Sequence, residues 1–143
     1  MIRVFVDANV LFAACYSASG ASREIVRLAI QDGIRLVMSD VVQEEARRNL
    51  KAKAPKALPF LDQLLELVPY ELVEATREEV LRAQAYTEAK DAPIVAAAVQ
   101  AQAEYLVSLD RVHLVEVPKV AEGSGMAIVL PGTLLQILRS QAP

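Results

Sequence analysis

Four acidic residues stand where the chain passes from strand to loop or opens a helix, and acids so placed can hold a cation. Asp7 ends the apolar, β-branched run at residues 2–6, which reads as a buried strand. Asp110 ends a second such run, at 105–109. Asp91 opens an apolar helix expected over 92–103, which leads into that later strand, and Glu45 lies in the first turns of the helix after a strand at 35–38. In open α/β sheets ligands bind beyond the carboxyl ends of the strands. Asp7 and Asp110 fall at that edge directly, Asp91 and Glu45 less directly.

Each acid alone has a plainer explanation. Asp7 can cap a following helix, although between Phe5-Val6 and Val10-Leu11 an unpaired charge is costly. Asp91, two residues before Pro93, suits a helix N-cap. Asp110 fits a strand-to-loop position, and Glu45, beside Glu44 on a charged helix, fits solvated surface. Convergence favours chemistry. Several ionised carboxylates share a small site only if cations neutralise them. Oxygen ligands suit Mg²⁺ or Mn²⁺ better than zinc, and Cys15 and His113 are the only residues of their types. A carboxylate-held ion, or a pair about 3.5–4 Å apart, activates water and stabilises the leaving oxygen of a phosphodiester. The residues point to an acidic metal site, and less directly to a nuclease.

The elements that must position these acids alternate. After the first strand and a Ser/Gly stretch, a helix is expected over 23–31, with Ser22 as N-cap and Gly33 as C-cap. The strand at 35–38 leads to a helix over 41–53 that Ser39 or Asp40 can cap. Pro55 and Pro59 break the chain before a short helix at 60–67 and a weaker strand at 71–74. Helices are expected over 77–90 and 92–103, then the strand 105–109, a last strand at 127–130 and a terminal helix at 133–140. This alternation predicts an α/β fold, a three-layer α/β/α sandwich around a mostly parallel sheet, as one domain over 1–143.

Taken in order, these residues resemble the PIN-domain nucleases over essentially the whole chain. Val6-Asp7-Ala8-Asn9-Val10-Leu11 resembles their opening motif, and Ser39 with Glu45 six residues later is similar to the second. Lys90-Asp91-Ala92-Pro93-Ile94 matches the third, and Leu106-Val107-Ser108-Leu109-Asp110 resembles the fourth. The segment Ile128-Val129-Leu130-Pro131-Gly132-Thr133 looks like the closing strand of a PIN group associated with toxins of toxin–antitoxin systems. The resemblance implies a Mg²⁺- or Mn²⁺-dependent endoribonuclease with Asp7, Glu45, Asp91 and Asp110 as metal ligands. Asn9 and Ser108 would be supporting polar residues. It also implies RNA as substrate, and it allows a small antitoxin and a homodimer or higher homo-oligomer as partners. Two departures stand out: Leu109 replaces the Asn many such toxins carry before the fourth acid, and Glu44 competes with Glu45. An aspartate-nucleophile phosphatase also places an Asp after its first strand, but its Asp-x-Asp pattern is interrupted here by Asn9. A PIN-like RNA-binding or scaffold module without activity is the non-enzymatic alternative.

Composition sets the frame. The chain is 54% hydrophobic and 23% charged, which is ordinary for a globular domain. No secretory signal is visible, and no uncharged apolar stretch approaches the roughly 20 residues a bilayer needs. One cysteine forms no internal disulfide, so a reducing, cytoplasmic setting is expected. The net charge of −3 is unevenly spread: residues 1–60 carry nine Lys/Arg against six Asp/Glu, and 61–143 carry six against twelve. Arg47, Arg48, Lys51, Lys53 and Lys56 fall within ten residues, either as a phosphate-contact patch for RNA or as a solvated helix end. His113 is expected to be a surface or packing histidine, and Cys15 a small buried residue. Residues 57–61 with Leu64, Leu65 and Leu67 read as core in preference to a partner groove.

Overall fold

Strands that are apolar along their whole length must be covered on both faces. The computed structural model, which describes residues 1–141, shows how this is done. β1 (Arg3–Val6) and β2 (Arg35–Ser39) lie at the centre with Val4, Phe5, Val6, Leu36, Val37 and Met38 all buried. β3 (Tyr70–Val73), β4 (Tyr105–Val107) and β5 (Ala127–Val129) complete a sheet in the order β3-β2-β1-β4-β5. All four pairings are parallel. The chain moves one way from β1 to β2 and β3, then returns to the other side for β4 and β5. Right-handed crossovers in opposite directions put helices on opposite faces. α1 (Ala8–Tyr16), α2 (Ala21–Ile30), α3 (Asp40–Lys53), α4 (Leu58–Leu67) and α8 (Pro131–Ser140) pack among themselves. α5 (Arg77–Ala83), α6 (Ala92–Gln100) and α7 (Pro118–Ser124) form the other layer. The three-layer α/β/α expectation holds, with the sheet wholly parallel among the described residues.

Several local expectations are corrected. Helix α1 follows Asp7, its cap, where periodicity places no helix, because Ala8, Val10, Leu11, Ala14 and Cys15 are all buried and leave little amphipathic contrast to read. α2 begins at Ala21 with Gly20 as N-cap, and Ser22 lies inside the helix, buried, instead of capping it. At its other end Asp32, not Gly33, takes the left-handed conformation (φ 59°). The Gly33 and Asp32 amides close a Schellman motif on Leu28 and Ala29. Ser39, and not Asp40, caps α3, its hydroxyl accepting from the Val42 amide at 3.2 Å. Residues 57–61 and their followers split: Leu61 and Leu64 are core, while Leu67 is exposed.

The segment expected to be helical over 77–90 stops at Ala83, and the chain then turns toward Asp91. Here packing overrides propensity. The Tyr86 ring lies against α7 at Gly123, where a Cβ would overlap both the ring and the Tyr86 Cβ. A helical Gly→Ala change ordinarily stabilises, by about 1 kcal/mol. Gly123→Ala should instead destabilise by about 1–3 kcal/mol, the cost of overpacking, read as a lower denaturant midpoint. In a double-mutant cycle Tyr86→Ala should remove most of that penalty; additive effects would mean that Tyr86 is not what Gly123 accommodates.

Candidate active site

The strand order reverses between β1 and β4, and an open parallel sheet has its crevice at the carboxyl ends of such strands. Asp7 is the first residue beyond β1. Its amide still pairs with the Val107 carbonyl (3.0 Å), so the ladder fixes its backbone. Its side chain is held twice. Oδ1 accepts from the Ala8 amide at 2.7 Å as the cap of α1, and Oδ2 accepts from the Ser108 hydroxyl at 2.7 Å. The Asp7 residue is only 8% exposed and Ser108 is fully buried.

Ser108 does more than hold Asp7. Its oxygen also accepts from the Asp110 amide (3.1 Å), so one hydroxyl couples the acid after β1 to the acid after β4. Asn9 makes the same connection from α1. Its Oδ1 accepts from the Leu109 amide at 3.1 Å, while its Nδ2 lies 3.5 Å from both Asp7 Oδ2 and Ser108 Oγ. These bonds explain why β4 ends at Val107 and not at 109: the chain turns there to serve the crevice.

Asp110 accepts from the His113 amide (3.0 Å) and caps a single wide turn of π-helix, Arg111–Val115. Neither that turn nor α7 shows in the sequence pattern. The turn brings the His113 ring to Asp110, with Nδ1 at 3.3 Å from Oδ2. His113 is a part-exposed histidine, in keeping with the surface position expected, and it also contacts a crevice acid. Lys90 Nζ stands 3.2 Å from the same ring nitrogen, 3.8 Å from Asp91 Oδ2 and 3.9 Å from Asp110 Oδ2.

Asp91 occupies the N-cap position of α6, but its side chain makes no capping hydrogen bond. Its Oδ2 is buried with no hydrogen-bond partner, an arrangement that is costly and calls for a role other than capping. Asp7, Glu45, Asp91 and Asp110 all line one narrow cleft of about 190 Å³, together with Asn9, Asn49, Lys90 and Ile94. Glu45 reaches it from α3, whereas Glu44 is exposed. Asn49 lies four residues, one helical turn, beyond Glu45 and shares its face. Helical spacing could have found it. Among the described residues no three acids already stand as a group able to hold an ion, so ligation would need the carboxylates to draw in. Of the basic stretch, Arg47 is paired with Asp62 of α4 at 2.8 Å, while Arg48, Lys51, Lys53 and Lys56 are exposed. None of the five lines the cleft.

Burial pushes the Asp7 carboxyl above its ordinary value of 3.8, against the bonds from Ser108 and Ala8, with the Glu45 and Asp91 charges adding to the rise. Asp91 is raised too, chiefly by burial, with Lys90 opposing it and Asp110 contributing. A carboxyl that holds its proton more tightly when folded stabilises the fold at low pH, and that contribution is lost as pH rises through its native value. The metal-free protein should therefore lose stability from both groups on going from about pH 4 to neutrality. In chelator, the melting temperature of Asp7→Asn relative to wild type should become more favourable as pH rises across that window. A difference independent of pH would contradict the buried, repelled Asp7 described here.

Fold and cleft together define a small parallel α/β domain with an acid-lined crevice at the switch point of its sheet. The PIN domain family model matches residues 3–112, and the chain belongs to that family. Among solved structures, VapBC2 from Rickettsia felis, bound to a DNA fragment from their promoter, is 12% identical with a TM-score of 0.63 over 89% of this chain and 97% of its own. PAE2754 from Pyrobaculum aerophilum is 20% identical with a TM-score of 0.66, covering 98% and 97%. VapC20 from Mycobacterium tuberculosis, a sarcin–ricin-loop-cleaving toxin, is 18% identical with a TM-score of 0.53, covering 76% and 91%. At such identities the likeness is one of fold. No curated protein matches the chain in sequence. Among the described residues no helix is long and apolar enough to cross a membrane.

Proposed function

We propose that this PIN domain is a Mg²⁺- or Mn²⁺-dependent endoribonuclease and the toxin of a toxin–antitoxin pair. The observation that carries the metal reading is the buried Oδ2 of Asp91, which has no hydrogen-bond partner, in a cleft shared with Asp7, Glu45 and Asp110. Such an oxygen fits a cation ligand, and the all-oxygen donor set fits a hard divalent ion. Asp7, Glu45, Asp91 and Asp110 would hold it, directly or through water. Bound there, the ion would supply an activated water and charge stabilisation for the leaving oxygen of a phosphodiester.

The chain's own residues do the positioning. Ser108 and Asn9 fix Asp7 against the β4 exit, so the two strand-end acids keep a set separation. Asn49 offers an amide donor to a phosphate oxygen in the cleft. Arg48, Lys51, Lys53 and Lys56 stay exposed toward the end of α3 and just beyond it, where they can contact the RNA backbone; Arg47 is partly engaged by Asp62. Support for the toxin reading comes from family membership and from the fold shared with VapBC2 and VapC20. A small antitoxin protein is the partner that goes with it.

Purified protein should cleave labelled RNA only with Mg²⁺ or Mn²⁺. Asp7→Asn keeps the shape but removes an anionic ligand, so cleavage should fall by roughly a hundredfold or more while the fold persists. Near-wild-type cleavage by this variant, once contaminating ribonuclease is excluded, would overturn the assignment. A wild-type protein that binds RNA but cleaves it under no metal condition would favour the inactive RNA-binding reading.

A further inference from the structure

The cleft contains a cation of its own. Lys90 immediately precedes Asp91, lines the cleft, and places Nζ almost equally far from Asp91 Oδ2 (3.8 Å) and Asp110 Oδ2 (3.9 Å). Neither contact is close enough for a hydrogen bond. Nζ lies closer to His113 Nδ1, at 3.2 Å, and the Lys90 side chain is 56% exposed. An ammonium so placed is drawn by two carboxylates and tightly bonded to neither. The Lys90 side chain is more than half exposed whereas those of Asp91 and Asp110 are 15% and 23% exposed, so the lysine is the member of the cluster free to leave. It is also the charge that most opposes the burial of Asp91.

We propose that Lys90 is an exchangeable counter-cation of the cleft, parked between Asp91 and Asp110 without metal and released to bind a substrate phosphate oxygen once a divalent ion takes those carboxylates. This rests on the metal-dependent reading above and adds a residue to it. A divalent ion on those carboxylate oxygens would repel the ammonium, so its entry would drive Nζ outward. The His113 Nε2 lies 3.7 Å from Glu88 Oε2, so the ring is held between that acid and Asp110. A compact ammonium on a flexible stem suits a phosphate contact that forms only when the metal is in place.

The proposal predicts opposite effects of one substitution. Lys90→Gln removes a competitor, so the Mn²⁺ concentration at the midpoint of the thermal stabilisation curve should fall by about two- to tenfold. In the Asp7→Asn background, with saturating Mn²⁺, adding Lys90→Gln should weaken binding of labelled single-stranded RNA. It should also flatten the log–log salt dependence by about 0.7, one phosphate contact. Lys90→Arg, which keeps the charge, should restore the salt slope. A normal wild-type Mn²⁺ response with an unchanged or higher midpoint in Lys90→Gln overturns this proposal alone. An unchanged RNA salt slope overturns it as well. A wild-type protein with no Mn²⁺ response refutes the metal reading and this proposal together.

Discussion

The site depends on one bond, the hydrogen bond from Ser108 to the buried carboxylate of Asp7, set at the point where the sheet reverses its order. Parallel pairing of Val6 with Val107 brings the ends of β1 and β4 level. The Asp7 and Ser108 residues that follow are then adjacent without any loop having to bring them together. Because both are buried, the bond forms where water competes little, and removing the hydroxyl would leave a charged oxygen short of a donor. The same hydroxyl accepts from the Asp110 amide, and Asn9 ties α1 to Leu109. The exit of β4 and the start of α1 are thus one hydrogen-bonded unit. Asp110, His113 and the π-helical turn are placed by that unit and not by their own sequence.

Around this fixed pair the other acids are less constrained. Glu45 reaches the cleft from α3, and Asp91 from the turn before α6. The turn that delivers Asp91 is stabilised from behind by Tyr86 on Gly123, on the opposite side of the sheet from α1 and α3. The two helical layers thus meet at the cleft, each contributing acids that the other lacks. Carboxylates raised by burial and mutual repulsion destabilise the fold they occupy, and such groups concentrate where a cation or substrate restores the balance. Lys90 supplies part of that balance from within the chain.

Much of this was legible in the sequence, for a physical reason. β1 and β4 are apolar runs ending in acids, and strand ends in a parallel sheet are ligand edges, so Asp7 and Asp110 could be placed by local pattern alone. α3 announced itself through Ser39 and its charged face, which put Glu45 within one or two turns of the sheet edge. Other features were hidden. α1 is too uniformly buried to show a period. The early end of α5 is set by Tyr86 meeting Gly123 some 37 residues later, a contact that no local rule contains. Asp91 reads as a helix cap by position, yet in the fold its side chain caps nothing. The contacts of His113 and Lys90 with the crevice acids come from the π-helical turn, which sequence periodicity does not signal.

The most direct test of a shared carboxylate site is the equilibrium binding of Mn²⁺ followed by calorimetry, in wild type and in Asp91→Asn and Asp110→Asn. If the four acids act on one ion or one pair of ions, wild type should bind Mn²⁺ in preference to a matched monovalent salt. Either substitution should then weaken that binding by about tenfold or more, with the fold intact by circular dichroism. Mn²⁺ binding that is absent in wild type, or equal in all three proteins, would contradict the clustered site and leave Asp91 and Asp110 as unrelated structural residues.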